Sequence, residues 1–395
     1  MINEIRNKWL AKPRTICGLM TGTSVDAVDA ALCRIYHQND GFDIKLLAEH
    51  YHDLPKNLSE LIKKTMAGKT SIKDISLLNY YLSNIYYDAV REISNKTQVS
   101  LSDIDAIGMH GQTVWHDPEA NMGNYYIPGS FQAGSGTALS VKTGIPVIHD
   151  FRAADIALGG QGAPLAPIFD HYFLKDKHRD VIALNIGGIA NISYLKKERS
   201  RKDIIAFDTG PGNGLIDIIA QEYFYEDHDK NGQFARRGNI IPKIFEDLKK
   251  DRYINQMPPK STGKERYNLD YLRNILSGKN VPDKHDLIST ITEFTGWSIA
   301  RNIELFANPR SIIYISGGGR NNEYLTERLK QYLPQAEFRN IEEKGIPGDI
   351  KEAMIFAFLA YLWFAGIPGN LPSATGASRE TILGSLSLPD NSNHI

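Results

Sequence analysis

Cysteine is nearly absent: Cys17 and Cys33 are the only two in 395 residues. Two thiols cannot staple a small extracellular fold, and these lie in apolar stretches on either side of a Gly/Thr/Ser turn, as expected of buried free thiols in a reducing compartment. No charge of one sign prevails either. Lys and Arg number 45 against 46 Asp and Glu, a net charge of −1. With no basic excess to condense onto a phosphate backbone or an anionic lipid surface, nucleic acid and membranes are not expected partners. Long apolar runs are also missing. The longest uncharged one, Ala353 to Ile367, falls short of the ~20 residues that span a bilayer and reads as a buried helix. From Met1 to Arg14 the chain mixes Glu4 with Arg6, Lys8 and Lys12, without the apolar core of a secretory leader. A cytoplasmic location is the expectation.

Several familiar motifs are lacking as well. No G-x-x-x-x-G-K-[ST] occurs, and Gly263-Lys264 is followed by Glu265, which disfavours a P-loop enzyme. No glycine turn spells G-x-G-x-x-G, which weakens a dinucleotide reading. His110, His116, His149 and His171 belong to no H-E-x-x-H or Cys/His cluster, so no zinc site is expected.

What the chain does have is the composition of an ordinary folded protein, 42% apolar and 23% charged, with length enough for two domains. Thr15 to Met20 and Val25 to Ile35 are apolar runs flanking the polar Thr21-Gly-Thr-Ser24, a strand, turn, strand pattern. Half a chain later the pattern returns as Val181 to Ile186, Gly187-Gly188 and Ile189 to Leu195, which suggests two related halves. Helical spacing runs from Ser71 to Glu92, from Gly214 to Tyr225 and from Asp286 to Phe306. Short apolar strands are expected at Ile104 to Met109 and Ser311 to Ser316. Glu222 to Lys284 is more charged and contains the loop-like Met257-Pro-Pro-Lys-Ser-Thr-Gly-Lys264.

Four glycine-dense turns follow apolar strands: Thr21 to Ser24, Gly187-Gly188, Gly210-Pro-Gly212-Asn213-Gly214 and Gly317-Gly318-Gly319. Glycine lets backbone N–H groups approach a ligand closely, so the recurrence points to phosphate oxygens, against the plainer reading of turn glycines. Carboxylates lie close by. Asp208 ends the run Ile204 to Phe207 and could serve as a general base or cap the helix that follows. Asp26 could face a hydrated Mg²⁺ or simply be a solvated turn residue. His110, ahead of Gly111-Gln112, could bind a sugar hydroxyl or close a loop. Arg152 could grip a ligand carboxylate with its forked guanidinium or pair internally with Asp155, and the nearby Gly159-Gly160-Gln161-Gly162 reads as a mobile loop. Glu352, at the start of the apolar helix, suits the helix dipole.

At these residues the sequence resembles the anhydro-N-acetylmuramic acid kinases, within the sugar kinase/Hsp70/actin superfamily. The matching stretches are Gly18 to Asp26, His110 to Thr113, Asp150 to Asp155 with Gly160 to Leu165, Asn185 to Ile192, Phe207 to Asn213, Pro258 to Gly263, Gly317 to Gly319 and Gly369 to Ala377. The resemblance implies an α/β, two-lobed actin-like ATPase fold of the ribonuclease H type, with duplicated mixed-sheet domains around a central cleft. Its lobes would be residues 1–151 with 372–395, and 152–371 carrying a helical insertion at 222–284. It also implies a reaction in which ATP and water convert 1,6-anhydro-N-acetylmuramic acid to N-acetylmuramic acid 6-phosphate.

Carried over, nucleotide contacts fall on Gly22, Thr23, Ser24, Val25, Asp26, Ala27, Val28 and Asp29, then on Asn185, Gly187, Gly188 and Asn191. Further contacts fall on Gly210, Gly212, Asn213, Gly317, Gly318 and Gly319, with Mg²⁺ reached from Asp26 through water. Sugar contacts fall on His110, Gln112, Arg152, Gln161 and Gly162. Asp208 matches the family's catalytic aspartate, and Glu352 is a second catalytic candidate. A homodimer is implied by the resemblance alone. The chain departs from the family's usual residues at Thr21, Val25, Ala27 and Trp115, where Ser, Leu, Gly and Arg are common. A kinase of another anhydrosugar such as levoglucosan, or an actin- or Hsp70-like ATP-driven switch, are the alternative readings.

Overall fold

The computed structural model describes residues 2–22, 24–38, 41–117, 121–122, 125–126, 129–198, 200–263, 265–281 and 283–390. These divide into two units, Met1–Phe173 with Gly345–Ile395, and Leu174–Lys344. The limits differ from the expected 151/152 and 371/372. Helix Ala166–Phe173 packs with helix Lys351–Ala365, and the latter lies on the first sheet, so both stay with the first unit.

In the first unit, β1 (Arg14–Thr21) and β2 (Ala27–Gln38) form the expected hairpin, and β3 (Gly41–Asp53) continues it antiparallel. Strand β4 (Ala106–Asp117) joins β1 in parallel and β8 (Val147–His149) joins β4 in parallel. The short ladder β5 (Asn121–Met122) with β6 (Tyr125–Tyr126) stands apart, while β7 (Gly129–Ala133) pairs with β4 and β14 (Ser385–Ser387) with β8. The central path is therefore β3-β2-β1-β4-β8.

In the second unit β9 (Val181–Ile186), β10 (Ile189–Leu195) and β11 (Ile205–Pro211) form an antiparallel meander. Strands β12 (Ile312–Ser316) and β13 (Glu337–Asn340) add in parallel on the other side of β9, for the order β11-β10-β9-β12-β13. Third, second, first, fourth, fifth: both sheets follow one path with one pattern of directions. That shared path is the duplicated actin-like, ribonuclease H-like α/β fold, and the two expected hairpins open its two halves.

Close packing explains where the helices settle. Gly18 of β1 and Gly108 of β4 stand side by side, leaving a groove in the sheet. Helix Lys351–Ala365 lies in it. A Cβ on Gly18 would overlap the Ala353 carbonyl oxygen, and one on Gly108 that of Phe356. Apolar on every side, this helix is buried from Met354 to Leu362, as its composition predicted. On the opposite face, helix Ile72–Thr97 starts with a capping box between Ser71 and Asp74 and buries Leu78, Leu82, Ile85, Tyr86, Ala89, Val90 and Ile93. Five further residues beyond the expected Glu92 continue it.

In the second unit helix Lys284–Phe306 packs on β11. The predicted helix at 214–225 is an α-helix over Gly214–Ile219 that widens into a π-turn over Ala220–Phe224. Among the described residues no helix is long and apolar enough to cross a membrane. Both cysteines are buried free thiols, and burial pushes Cys17 up to about 12.

Candidate active site

The second unit carries a polar row. Ser316 on β12 is in register with Asn185 on β9, Asn185 faces Asn191 on β10, and Asn191 faces Asp208 on β11. Residues opposite one another in a ladder share a face, so four polar side chains line up across four strands. Phe207, next to Asp208, turns the other way into the core.

Asp208 sits at the end of that row, half-buried. Its Oδ2 accepts a hydrogen bond from Thr262 N at 2.9 Å, its amide donates to Lys260 O at 3.3 Å, and its carbonyl accepts from Tyr253 Oη at 2.9 Å. The carboxylate thus caps no helix. Desolvation raises its pKa to about 6, with Thr262 N and Lys260 pulling it down and Glu265 pushing it up. One oxygen is anchored and the other takes no bond among the described residues. This is the arrangement of a carboxylate that can accept a proton near neutral pH. Composition marked Pro258 to Gly263 only as a loop; Tyr253 and Thr262 were missed because they come from segments distant in sequence.

The glycine turns meet each other in this unit. Gly212, Asn213 and Gly214 donate their amides to the Gly188, Gly187 and Gly188 carbonyls at 2.9, 2.8 and 3.0 Å, and a Cβ on Gly212 would overlap Gly187 O. Here close approach joins the protein to itself, and those amides are already engaged. Asn213 nonetheless has a buried Oδ1 without a partner among the described residues. Gly210 has φ +135°, with Ile254 Cδ1 2.9 Å from where a Cβ would stand. Gly317 has φ +79° and would set a Cβ 2.6 Å from Asn185 Oδ1, while Gly318 faces open space and Gly319 packs on Ile186.

In the first unit, the turn joining β1 and β2 includes Val25, buried and at φ +59°, a costly conformation for a β-branched residue. Thr23 lies outside the described residues. Asp26 is exposed, and its Oδ1 accepts from Ser24 Oγ at 2.5 Å and Ala27 N at 3.1 Å. Val28 faces Thr21 and Asp29 faces Met20 on β1. Asp29 is raised to about 7 by desolvation and by the crowding of Glu352, Asp26 and Asp349. Glu352 occupies the first turn of its helix, and desolvation raises its carboxyl against the pull of Lys351 and Arg152.

Arg152 is neither paired with Asp155 nor a free fork, because its donors are taken up by other groups of the protein. It forms no ion pair with Asp155 among the described residues. Its Nη2 and Nε donate to His110 Nε2 at 2.9 and 3.3 Å, and its Nη1 donates to Gly162 O at 2.7 Å. His110 must therefore be neutral at Nε2, and its pKa is held well below the usual value by burial and by Arg152. Its ring lies 4.5 Å from that of Phe356. Asp155, fully buried, holds the glycine loop instead: it accepts from Gly162 N at 2.8 Å, Asn370 Nδ2 at 2.7 Å and Thr375 Oγ1 at 2.7 Å. Gln161 N donates to Thr375 O at 2.8 Å. Gln112 is wholly buried, its Nε2 on Thr113 O and its Oε1 without a partner among the described residues. Asn370 and Thr375 lie more than 200 residues from Asp155, so no local signal could have joined them.

A family model described as anhydro-N-acetylmuramic acid kinase matches residues 14–389. The chain belongs to the anhydro-N-acetylmuramic acid kinase family. Similar relatives of that name include one from Shewanella pealeana, 40% identical over 370 residues, 93% of this chain and 97% of the relative. Another, from Clostridioides difficile, is 36% identical over 373 residues with the same coverage. Among solved structures, component A of (R)-2-hydroxyglutaryl-CoA dehydratase from Acidaminococcus fermentans aligns with a TM-score of 0.45 at 11% identity, covering 89% of this chain and 99% of that one. As a member of the anhydro-N-acetylmuramic acid kinase family the chain is an ATP-dependent kinase with a small-molecule sugar substrate, and its role is that family's role in peptidoglycan recycling.

Proposed function

We propose that the enzyme adds water to C1 of 1,6-anhydro-N-acetylmuramic acid while moving the γ-phosphoryl group of ATP to O6. Asp208 takes a proton from the attacking water, the C1–O6 bond breaks, O6 forms its bond to the γ-phosphorus, and the bond from phosphorus to ADP breaks. The products are N-acetylmuramic acid 6-phosphate and ADP. Most glycosidases need a second carboxyl group to protonate the leaving oxygen. Here the phosphoryl group captures that oxygen as it departs, so one base suffices.

The observation that carries this reading is Asp208 itself, a desolvated carboxylate with one oxygen anchored and the other unbonded, at the end of a polar row. In this reading Asn185, Asn191, the Asn213 side chain and the turn Gly317 to Gly319 face the nucleotide, together with Gly22 to Asp29, while the bonds between Gly212 to Gly214 and Gly187-Gly188 hold those two turns in shape. Gly318, with open space beside it, and the unpartnered Asn213 Oδ1 support that assignment. The crowding of Asp26, Asp29, Asp349 and Glu352 suits a cation held nearby, and Asp26 would reach it through water, as the family resemblance implies and as the waters that Mg²⁺ retains favour. Mg²⁺, when bound, supplies positive charge to the phosphate oxygens.

On the sugar side, His110 fixes the Arg152 guanidinium, Gln112, Gln161 and Gly162 shape its surroundings, and Glu352 orients the substrate. Family resemblance supports a homodimer, and with the free thiols it supports a cytoplasmic location.

The test is Asp208→Asn. Turnover is expected to fall by about 10³-fold or more, with ATP affinity by calorimetry within about twofold of wild type. Near-normal turnover in this variant would remove Asp208 from the base role.

A further inference from the structure

Lys260, in the loop that clamps Asp208, has no role in the reaction above, yet its surroundings are unusual. It is 8% exposed and has no ion-pair partner among the described residues. Its three ammonium hydrogens are matched by three acceptors: Tyr253 O at 3.1 Å, Ile254 O at 3.0 Å and Asn302 Oδ1 at 2.7 Å. The rings of Tyr253, Phe207 and Phe306 lie 4.8, 5.4 and 5.4 Å from Nζ. Burying a cation away from a carboxylate is costly, and here the three hydrogen bonds and the three rings offset that cost.

Two of its acceptors lead back to Asp208. Tyr253, whose carbonyl takes one ammonium hydrogen, donates its hydroxyl to the Asp208 carbonyl at 2.9 Å. Asn302, whose Oδ1 takes another, donates Nδ2 to Thr209 O at 2.9 Å. The Lys260 carbonyl itself accepts the Asp208 amide. Resting on the assignment of Asp208 as base, we propose that Lys260 is a positioning residue for the reaction: its ammonium fixes the backbone on both sides of Asp208 and supplies the positive charge that favours the carboxylate form. The other charges facing this pair are Glu265 on the Asp208 side and Asp251 on the Lys260 side, with Arg266 bound to Asp251. Helix Lys284–Phe306 contributes the neutral Asn302 and Phe306 there.

The proposal separates from a purely structural role by pH. Removing the cation makes Asp208 harder to ionise, so the acid limb of kcat/KM moves upward. Lys260→Met is expected to shift that limb by about one pH unit to higher pH and to lower the plateau, and Lys260→Arg to leave the limb in place. Asn302→Asp sets a carboxylate against the ammonium and cancels its field while giving up the Nδ2 bonds to Thr209 O and Ser298 O, so it is expected to shift the limb in the same direction even if Lys260→Met does not accumulate as folded protein. A lowered plateau with an unmoved limb in both Lys260→Met and Asn302→Asp, or an unmoved limb in Asn302→Asp alone where Lys260→Met does not fold, would overturn the proposal. Asp208→Asn, assayed alongside, keeps the two readings apart: substantial turnover there refutes the base, whereas an unmoved limb with an inactive Asp208→Asn refutes only Lys260.

Discussion

At the scale of the residue, the base role proposed for Asp208 bears on both activity and stability. With its carboxyl at about 6, kcat/KM is expected to rise through an acid limb near pH 6 and level above it. The same shift has a second consequence. A carboxyl raised above its unfolded value contributes stability that is complete below about pH 4 and is lost as pH rises through about 6. At neutral pH the folded enzyme therefore bears the cost of a desolvated charge. Asp208→Asn, inactive, is expected to melt at a higher temperature than wild type at pH 7.5, and that gain is expected to vanish by pH 4; a scanning calorimetry series at the two pH values checks both. Arg152 makes a different residue-scale claim. Its fork rests on a neutral His110 and on Gly162 O, and lysine cannot reproduce two bonds to one ring nitrogen. Arg152→Lys is expected to raise the sugar KM by about tenfold or more while leaving the ATP KM unchanged, by initial rates.

The elements were legible where local chemistry sets them. Both opening hairpins, the apolar helix and the helix with its Ser71 start stood out by period and turn residues, and each is present. What the sequence hid was contact between distant segments. Gly18 and Gly108 look like ordinary strand glycines until β1 and β4 pair and a helix from residues 351–365 needs the space above both. The grip of Asn370 and Thr375 on Asp155, and of Tyr253 and Thr262 on Asp208, is hidden for the same reason. Val25 and the π-turn at 220–224 have no sequence signal, since each is imposed by surroundings rather than by local preference. The groove gives an element-scale prediction. Gly108→Ala is expected to destabilise the protein by at least about 2 kcal/mol in a denaturant series, because a methyl would overlap backbone that cannot yield without moving the helix. Ala substitution at Gly68, which has open space, offers a contrast in which only backbone strain acts.

For the whole molecule, one strand path used twice is the main organising fact. Each sheet brings a hairpin turn and polar groups to the end of its first strand, with Asp208 and the polar row in one half and the acidic turn, Arg152 and Glu352 in the other. The central claim is that the bond from C1 to O6 is broken by water while O6 takes the phosphoryl group. A single turnover with ATP and 1,6-anhydro-N-acetylmuramic acid in ¹⁸O-labelled water, read by mass, tests it most directly. The account predicts one heavy oxygen on the sugar at C1 and none in the transferred phosphate. Heavy oxygen in the phosphate, with the anhydro ring intact, would contradict it.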